Sequence, residues 1–182
     1  MKTTLKSILT LALVMGLGIM ANAQKTSSAP ATATILANLT IALESGSDIA
    51  FGMLSASTPS IVTLDANGPT GTTGTTGNAN TGSVTDVARF NLAGDNSAVT
   101  VKYDATVILS NGTPANDMTM TPEVVGAALV TGQGSAAAVL NDQLVTLVSG
   151  VYYLWVGGTI PQLSNQPMGD YAGTFKINVE YN

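Results

Sequence analysis

The chain has 182 residues, 45% of them hydrophobic and only 9% charged, with no cysteine and no histidine. That pair of absences removes Ser-His-Asp and Cys-His catalysis and the common zinc sites, and it leaves a chain without disulfides to rest on its core alone. Six basic residues against eleven acidic ones form no basic patch, which argues against nucleic acid and anionic lipid as partners.

Residues 1–23, MKTTLKSILTLALVMGLGIMANA, place Lys2 and Lys6 before an apolar run from Ile8 to Met20 and then Ala21-Asn22-Ala23. This is the layout of a cleaved secretory signal peptide, its apolar run being shorter than the ~20 residues a spanning helix needs. It predicts a mature chain starting at Gln24, exported to the periplasm, the cell surface or the medium. Only Lys25, Arg89, Lys102 and Lys176 then remain to oppose eleven acidic residues, a net charge of −7. No later segment is apolar for long enough to span a bilayer as a helix, and the missing cysteine removes a lipid anchor.

From Thr32 to Leu43 the chain alternates, with Ala33, Ile35, Ala37, Leu39, Ile41 and Leu43 on one side. Ile49–Leu54 repeats the pattern. Further strands are expected at Ser60–Leu64, Ala88–Ala93, Ala98–Leu109, Asp117–Thr121, Val124–Val130, Gln143–Val148 and Val151–Ile160, divided by signals such as Asn111-Gly112 and Gly157-Gly158. Only Val124–Leu140 has a composition open to helix, and its glycines oppose that. Between Asn67 and Gly82 glycine recurs at every third place from Gly68 to Gly77, too few turns and too little proline for collagen; residues 66–82 therefore read as a flexible Thr/Gly loop within a single domain, 24–182.

The chain ends in GDYAGTFKINVEYN, where Tyr171, Gly173, Phe175, Ile177, Val179 and Tyr181 alternate with polar or small residues. Strands at this spacing predict an all-β fold, an antiparallel immunoglobulin-like sandwich. Its core should draw on Ile35, Leu39, Ile41, Phe51, Phe90, Leu92, Val99, Val101, Trp155, Phe175, Ile177 and Val179. An outer-membrane barrel is disfavoured because the aromatics cluster near the C-terminus instead of forming two girdles.

Chemistry-bearing clusters are scarce. Asp65, Asp86, Asp95, Asp104, Asp117 and Asp142 could in principle supply a carboxylate pair, but each stands beside turn residues, where aspartate is an ordinary turn former. No Asp-x-Asp-x-Asp-Gly loop occurs, so neither a metal nor any other cofactor is expected. Asn38-Leu-Thr40 and Asn111-Gly-Thr113 match the glycosylation triplet, which a chain this rich in Asn and Thr carries by chance. In VYYLWVGG, Tyr152, Tyr153 and Trp155 could stack on a sugar, but alternation sends them to both faces of one strand, as a strand buried on both sides would.

The blocks ATATILANLTI (31–41), DIAFG (48–52), ARFNLAG (88–94), LWVGGTI (154–160) and NQPMGDYAGTFKINVEYN (165–182) resemble the bacterial exported family known as domain of unknown function 4402. That resemblance implies a fold but no activity, and residues 66–82 and 113–147 carry no recognisable family block. The chain is also similar, at its end, to chaperone–usher pilin subunits, with Gly169 fourteen residues from the C-terminus and the aromatic Tyr181 at the penultimate place. This second resemblance implies a pilin-like sandwich completed by the N-terminal strand of another subunit, with self-association or another surface protein as partner and a periplasmic chaperone on the way. The strand-pairing residues would then be Ile35, Leu39, Ile41 and Leu43 on the donor side, and Gly169, Phe175, Ile177, Val179 and Tyr181 on the acceptor side. Thr32–Leu43 serves equally well as the first strand of a self-contained sandwich, and both readings stay open. The function expected is that of a non-catalytic exported structural subunit; the alternative is a surface module that binds a glycan or a protein.

Overall fold

The period-two alternation of this sequence resolves, in a computed structural model, into strands joined by turns. The structure describes residues 29–30, 32–55, 61–68, 75–76, 84–161, 163 and 166–182. The expected signal peptide, residues 1–23, lies outside them. The chain divides between residues 34 and 35, and the fold is that of Ile35–Asn182.

Eleven strands occur among the described residues: β1 (Thr40–Leu43), β2 (Val62–Leu64), β3 (Thr75–Thr76), β4 (Ala88–Ala93), β5 (Ala98–Tyr103), β6 (Val107–Leu109), β7 (Met118–Ala127), β8 (Ala137–Ala138), β9 (Gln143–Thr146), β10 (Val151–Ile160) and β11 (Ile177–Tyr181). Every described pairing is antiparallel. The fold is therefore all-β, as the alternation requires. Val124–Leu140 is not α-helical; it holds the end of β7, a 3-10 helix at Val130–Ser135 and β8.

In the larger sheet β10 is central. One flank pairs first with β4, Val151–Val156 opposite Ala93–Ala88, and then with β2, Gly158–Ile160 opposite Leu64–Val62. The change of partner falls at Gly157, where a Cβ would collide with the Leu64 carbonyl, so the pair Gly157-Gly158 serves close packing inside a strand and is not a turn. The other flank pairs with β7, which carries β6 and β8; β1 lies outside β4 and β3 outside β2. The smaller sheet runs β11-β5-β9.

Central position explains the VYYLWVGG stretch. Leu154 and Val156 face the smaller sheet, in a cluster with Leu92, Val99, Val101, Val145 and Leu147, while Trp155 belongs to a second cluster with Phe51, Val62, Leu64, Met120 and Val125. Trp155 is 0% exposed. Both faces of β10 are dry, which is why it reads as nearly continuous apolar sequence.

Several expected boundaries move. Thr32–Leu43 forms a strand only from Thr40, and Ile35, expected in the core, is 95% exposed. Ile49–Leu54 makes no strand, though Ala50 bridges to Asp86. Ala98–Leu109 breaks at 104–106 as the chain crosses from the smaller sheet to the larger, and Asp117–Thr121 joins Val124–Ala127 in one strand through Pro122. That proline is tolerated because, among the described residues, no strand pairs with Pro122 on the flank of β7 away from β10. The base of the expected Thr/Gly loop is anchored: the Asn67 amide donates to the carbonyls of Gln133 and Ala136, and the Gln133 amide donates to those of Ala66 and Gly68. Thr75 and Thr76 pair with Leu64 and Thr63.

Candidate functional site

The C-terminal alternation runs antiparallel to the chain from Ala98 to Ser110. Ala172 bridges Ser110 on the β6 side, and from Ile177 onward β11 pairs β5, with Ile177 opposite Tyr103 and Tyr181 opposite Val99. Where β5 breaks, Asp104 takes over the ladder: its N–H donates to the Lys176 carbonyl at 3.0 Å and its carboxylate accepts from the Lys176 N–H at 3.0 Å. Asn182 N–H donates to the Ala98 carbonyl at 3.3 Å. The even-numbered residues of β11 thus bond to β5. By the geometry of an antiparallel strand, Ile177, Val179 and Tyr181 point their N–H and C=O groups the other way, while their half-buried side chains face the core.

On that other side stands β1, which among the described residues pairs with β4 alone. Leu39 and Ile41 pack into the same cluster as Ile177, Val179 and Tyr181, yet no pairing joins β1 to β11 among the described residues. Among the described residues no strand bridges the two sheets along this side, and strand edges form both lips. At one end the gap is closed by the Tyr181 hydroxyl, which donates to the Ala37 carbonyl at 3.0 Å. Toward the other end it widens into a groove of about 460 Å³ between Leu43–Ile49 and Tyr171–Phe175. Ala88, Phe90, Val107, Leu109, Met120 and Phe175 give it an apolar lining; Ser47, Asp48 and Tyr171 also border it. Phe90 and Phe175 meet there with ring centroids 6.2 Å apart.

The expected strand-pairing residues fall into three groups. Phe175, Ile177, Val179 and Tyr181 are brought together on the inner side of the C-terminal segment, and Leu39 and Ile41 pack against that cluster. Leu43 stands half exposed at the groove, and Ile35 is outside the core. Gly169, which the pilin resemblance puts on the acceptor side, makes no close approach: it is exposed, and a Cβ there would meet nothing nearer than 3.9 Å. Its φ of +152° is what favours glycine. The close approach belongs to Gly173, whose Cβ would collide with the Ile108 carbonyl. An in-phase glycine inside an alternating strand was the signal for it.

On the outer face of the smaller sheet the Lys102 ammonium contacts Glu180 and lies 3.8 Å from Asp142. The hydrogen bond and charge of Glu180 hold the Lys102 pKa above its ordinary value. These residues border a broad polar depression of about 620 Å³ with Tyr103, Asp104, Asn141 and Lys176. Burial pushes the phenols of Tyr152 and Tyr103 above their ordinary pKa. Among the described residues no three His, Cys, Asp or Glu side chains come together to hold a metal ion, and no helix is long and apolar enough to cross a membrane.

Residues 40–181 match the family model described as Domain of unknown function (DUF4402). The chain belongs to this family. No curated protein matches it. The DUF4402 span begins at the first residue of β1 and ends on Tyr181, so it holds both lips of the groove, while the exposed Ile35 lies before it.

Proposed function

We propose that the protein is a non-catalytic exported structural subunit, fimbria-like in construction, that assembles by β-strand pairing. The alternating segment before β1 of one copy enters the groove beside β11 of the next, completing an immunoglobulin-like, pilin-like sandwich. The observation that carries this reading is the apolar groove beside Tyr171–Phe175, which lead into the edge strand β11, in a chain that also exposes an alternating apolar segment around Ile35. An edge strand with unpaired backbone groups recruits another strand, and the recruited strand satisfies those groups while filling the pockets with alternate side chains.

Geometry favours another copy as the partner. The segment leaves β1 beside Tyr181, whereas the groove opens at Phe175 and Gly173, six to eight residues away along the C-terminal strand, or about 20–25 Å. Such a contact is head-to-tail, and it extends without closing. Burying Ile35 in a neighbour should contribute about 1.5–3 kcal/mol. A periplasmic chaperone that covers the groove before assembly fits the same scheme. The alternative, a module binding a glycan or a protein, would have to use the polar depression by Lys102, since Trp155 is fully buried and cannot stack on a sugar.

Size-exclusion chromatography with light scattering tests the proposal. The exported protein should run as concentration-dependent multimers, and Ile35→Asp should convert them to folded monomers that lose the stabilisation strand donation supplied, and with it the concentration dependence of the melting temperature. Multimers indifferent to Ile35→Asp, or a monomer at every concentration, would sink it.

A further inference from the structure

The penultimate tyrosine does more than fill the core. Its hydroxyl stands at the meeting point of three chain segments: it accepts from the Asp95 N–H at 2.7 Å and donates to the Ala37 carbonyl at 3.0 Å. The Asp95 carboxylate in turn accepts the Ala37 N–H at 2.5 Å. Both main-chain groups of Ala37 are therefore held, one by a side chain of β11 and the other by the turn between β4 and β5. The neighbouring Gly94 makes room for this. A Cβ on Gly94 would fall on the Tyr181 hydroxyl, with a Leu39 methyl 3.1 Å away, and its φ is not among the positive ones, so the glycine is required by space and not by conformation.

We infer that Gly94, Asp95 and Tyr181 form a backbone clamp that fixes the point at which the N-terminal segment leaves the domain. Upstream of the clamp Ile35 and Leu36 are exposed; downstream Leu39 and Ile41 are packed against Ile177, Val179 and Tyr181. The boundary between exposed and packed alternation thus coincides with Ala37, a residue held at both N–H and C=O. The clamp reads only main chain, and the Ala37 side chain is exposed. Position 37 should accordingly accept any residue that keeps its N–H and refuse proline, which lacks it. Asp95 and Tyr181 are positioning residues in this arrangement. That the clamp sets how much segment a neighbouring copy can receive rests on the assembly proposed above; the clamping itself does not.

Limited proteolysis of the exported full-length protein separates the two. A protease that cuts on the N-terminal side of Leu and Ile should trim the protein at Ile35 and Leu36 and stop before Leu39. To keep the protein monomeric, the series is run in the Ile35→Asp background, with Leu36 as the remaining upstream cut. Tyr181→Phe, Gly94→Ala and Ala37→Pro remove the clamp by three different routes, and each should speed the cut at Leu39 about tenfold, the equivalent of one hydrogen bond in a local opening equilibrium. Ala37→Ser should leave it unchanged. Amide exchange in β5 and β10 checks that the sandwich stays folded. The inference is overturned if Leu39 is cut as fast as Leu36 with the clamp intact, or if Tyr181→Phe and Gly94→Ala leave the Leu39 cut as slow as before. Clamp behaviour as stated, with a wild-type protein that never multimerises, would refute the assembly reading alone.

Discussion

Gly169 and Gly173 lie on the same parity of the C-terminal alternation but answer to different constraints. Gly169 is exposed with a φ of +152°, so Gly169→Ala should cost about 1 kcal/mol through backbone strain alone. Gly173 presses on the Ile108 carbonyl, a backbone atom that cannot swing aside, so Gly173→Ala should cost more, about 1–3 kcal/mol. Chemical denaturation midpoints should rank the two variants in that order. Tyr152 gives a second residue-level prediction. Burial raises its phenol pKa above the ordinary 10.0, so the folded state keeps the proton to higher pH than the unfolded chain does. Its contribution is complete below about pH 10 and is lost as pH rises through the folded value, and Tyr103 acts in the same direction. Melting temperatures taken from pH 8 to about pH 11.5 should be flat and then fall, and Tyr152→Phe should soften the fall.

At the scale of elements, period-two alternation reveals which residues face inward but not which strand they pair with. Val99, Val101, Tyr103, Val107 and Leu109 keep one parity, so the sequence shows a single strand from Ala98 to Leu109 although its partner changes from β11 to β7. The crossing at 104–106 leaves no trace in the period. Ile35 misleads for the complementary reason: its alternation continues that of β1, but it is exposed, and no described residue buries it. Strands buried on both faces, such as β10, were legible because both parities are apolar. Of the site, the inner residues of β11 were legible and the groove was not, since Phe90, Leu109 and Met120 come from distant segments. Asp104 makes the crossing testable. Asp104→Ala removes the acceptor for the Lys176 N–H and should cost about 1 kcal/mol, while Asp104→Asn should retain most of it. Thermal melts of the two variants distinguish the hydrogen bond from any general effect of charge.

At the scale of the molecule, the division of labour along β1 decides what can be removed. Thr40–Leu43 pairs with Phe90–Ala93 and belongs to the domain, whereas Ile35 and Leu36 lie outside its core. Deleting residues 24–38 should therefore leave a folded, soluble monomer with its groove open, while deleting 24–43 should also remove β1 and destabilise the larger sheet. The groove of the shorter deletion runs beside Tyr171–Phe175, which lead into the edge strand β11, and has an apolar lining around Phe90 and Phe175. A synthetic peptide spanning Thr32–Leu43 should bind it by strand addition and raise its melting temperature with peptide concentration, by about 2.7 kcal/mol of stabilisation at a hundredfold excess over Kd. The same peptide carrying Ile35→Asp should bind more weakly, because a carboxylate would be buried where no described cation reaches. Widening the groove floor by Phe175→Ala should lower both the intrinsic stability and the gain from peptide. A deletion variant of residues 24–38 whose melting temperature ignores the peptide would leave the open edge of β11 without the occupant assigned to it.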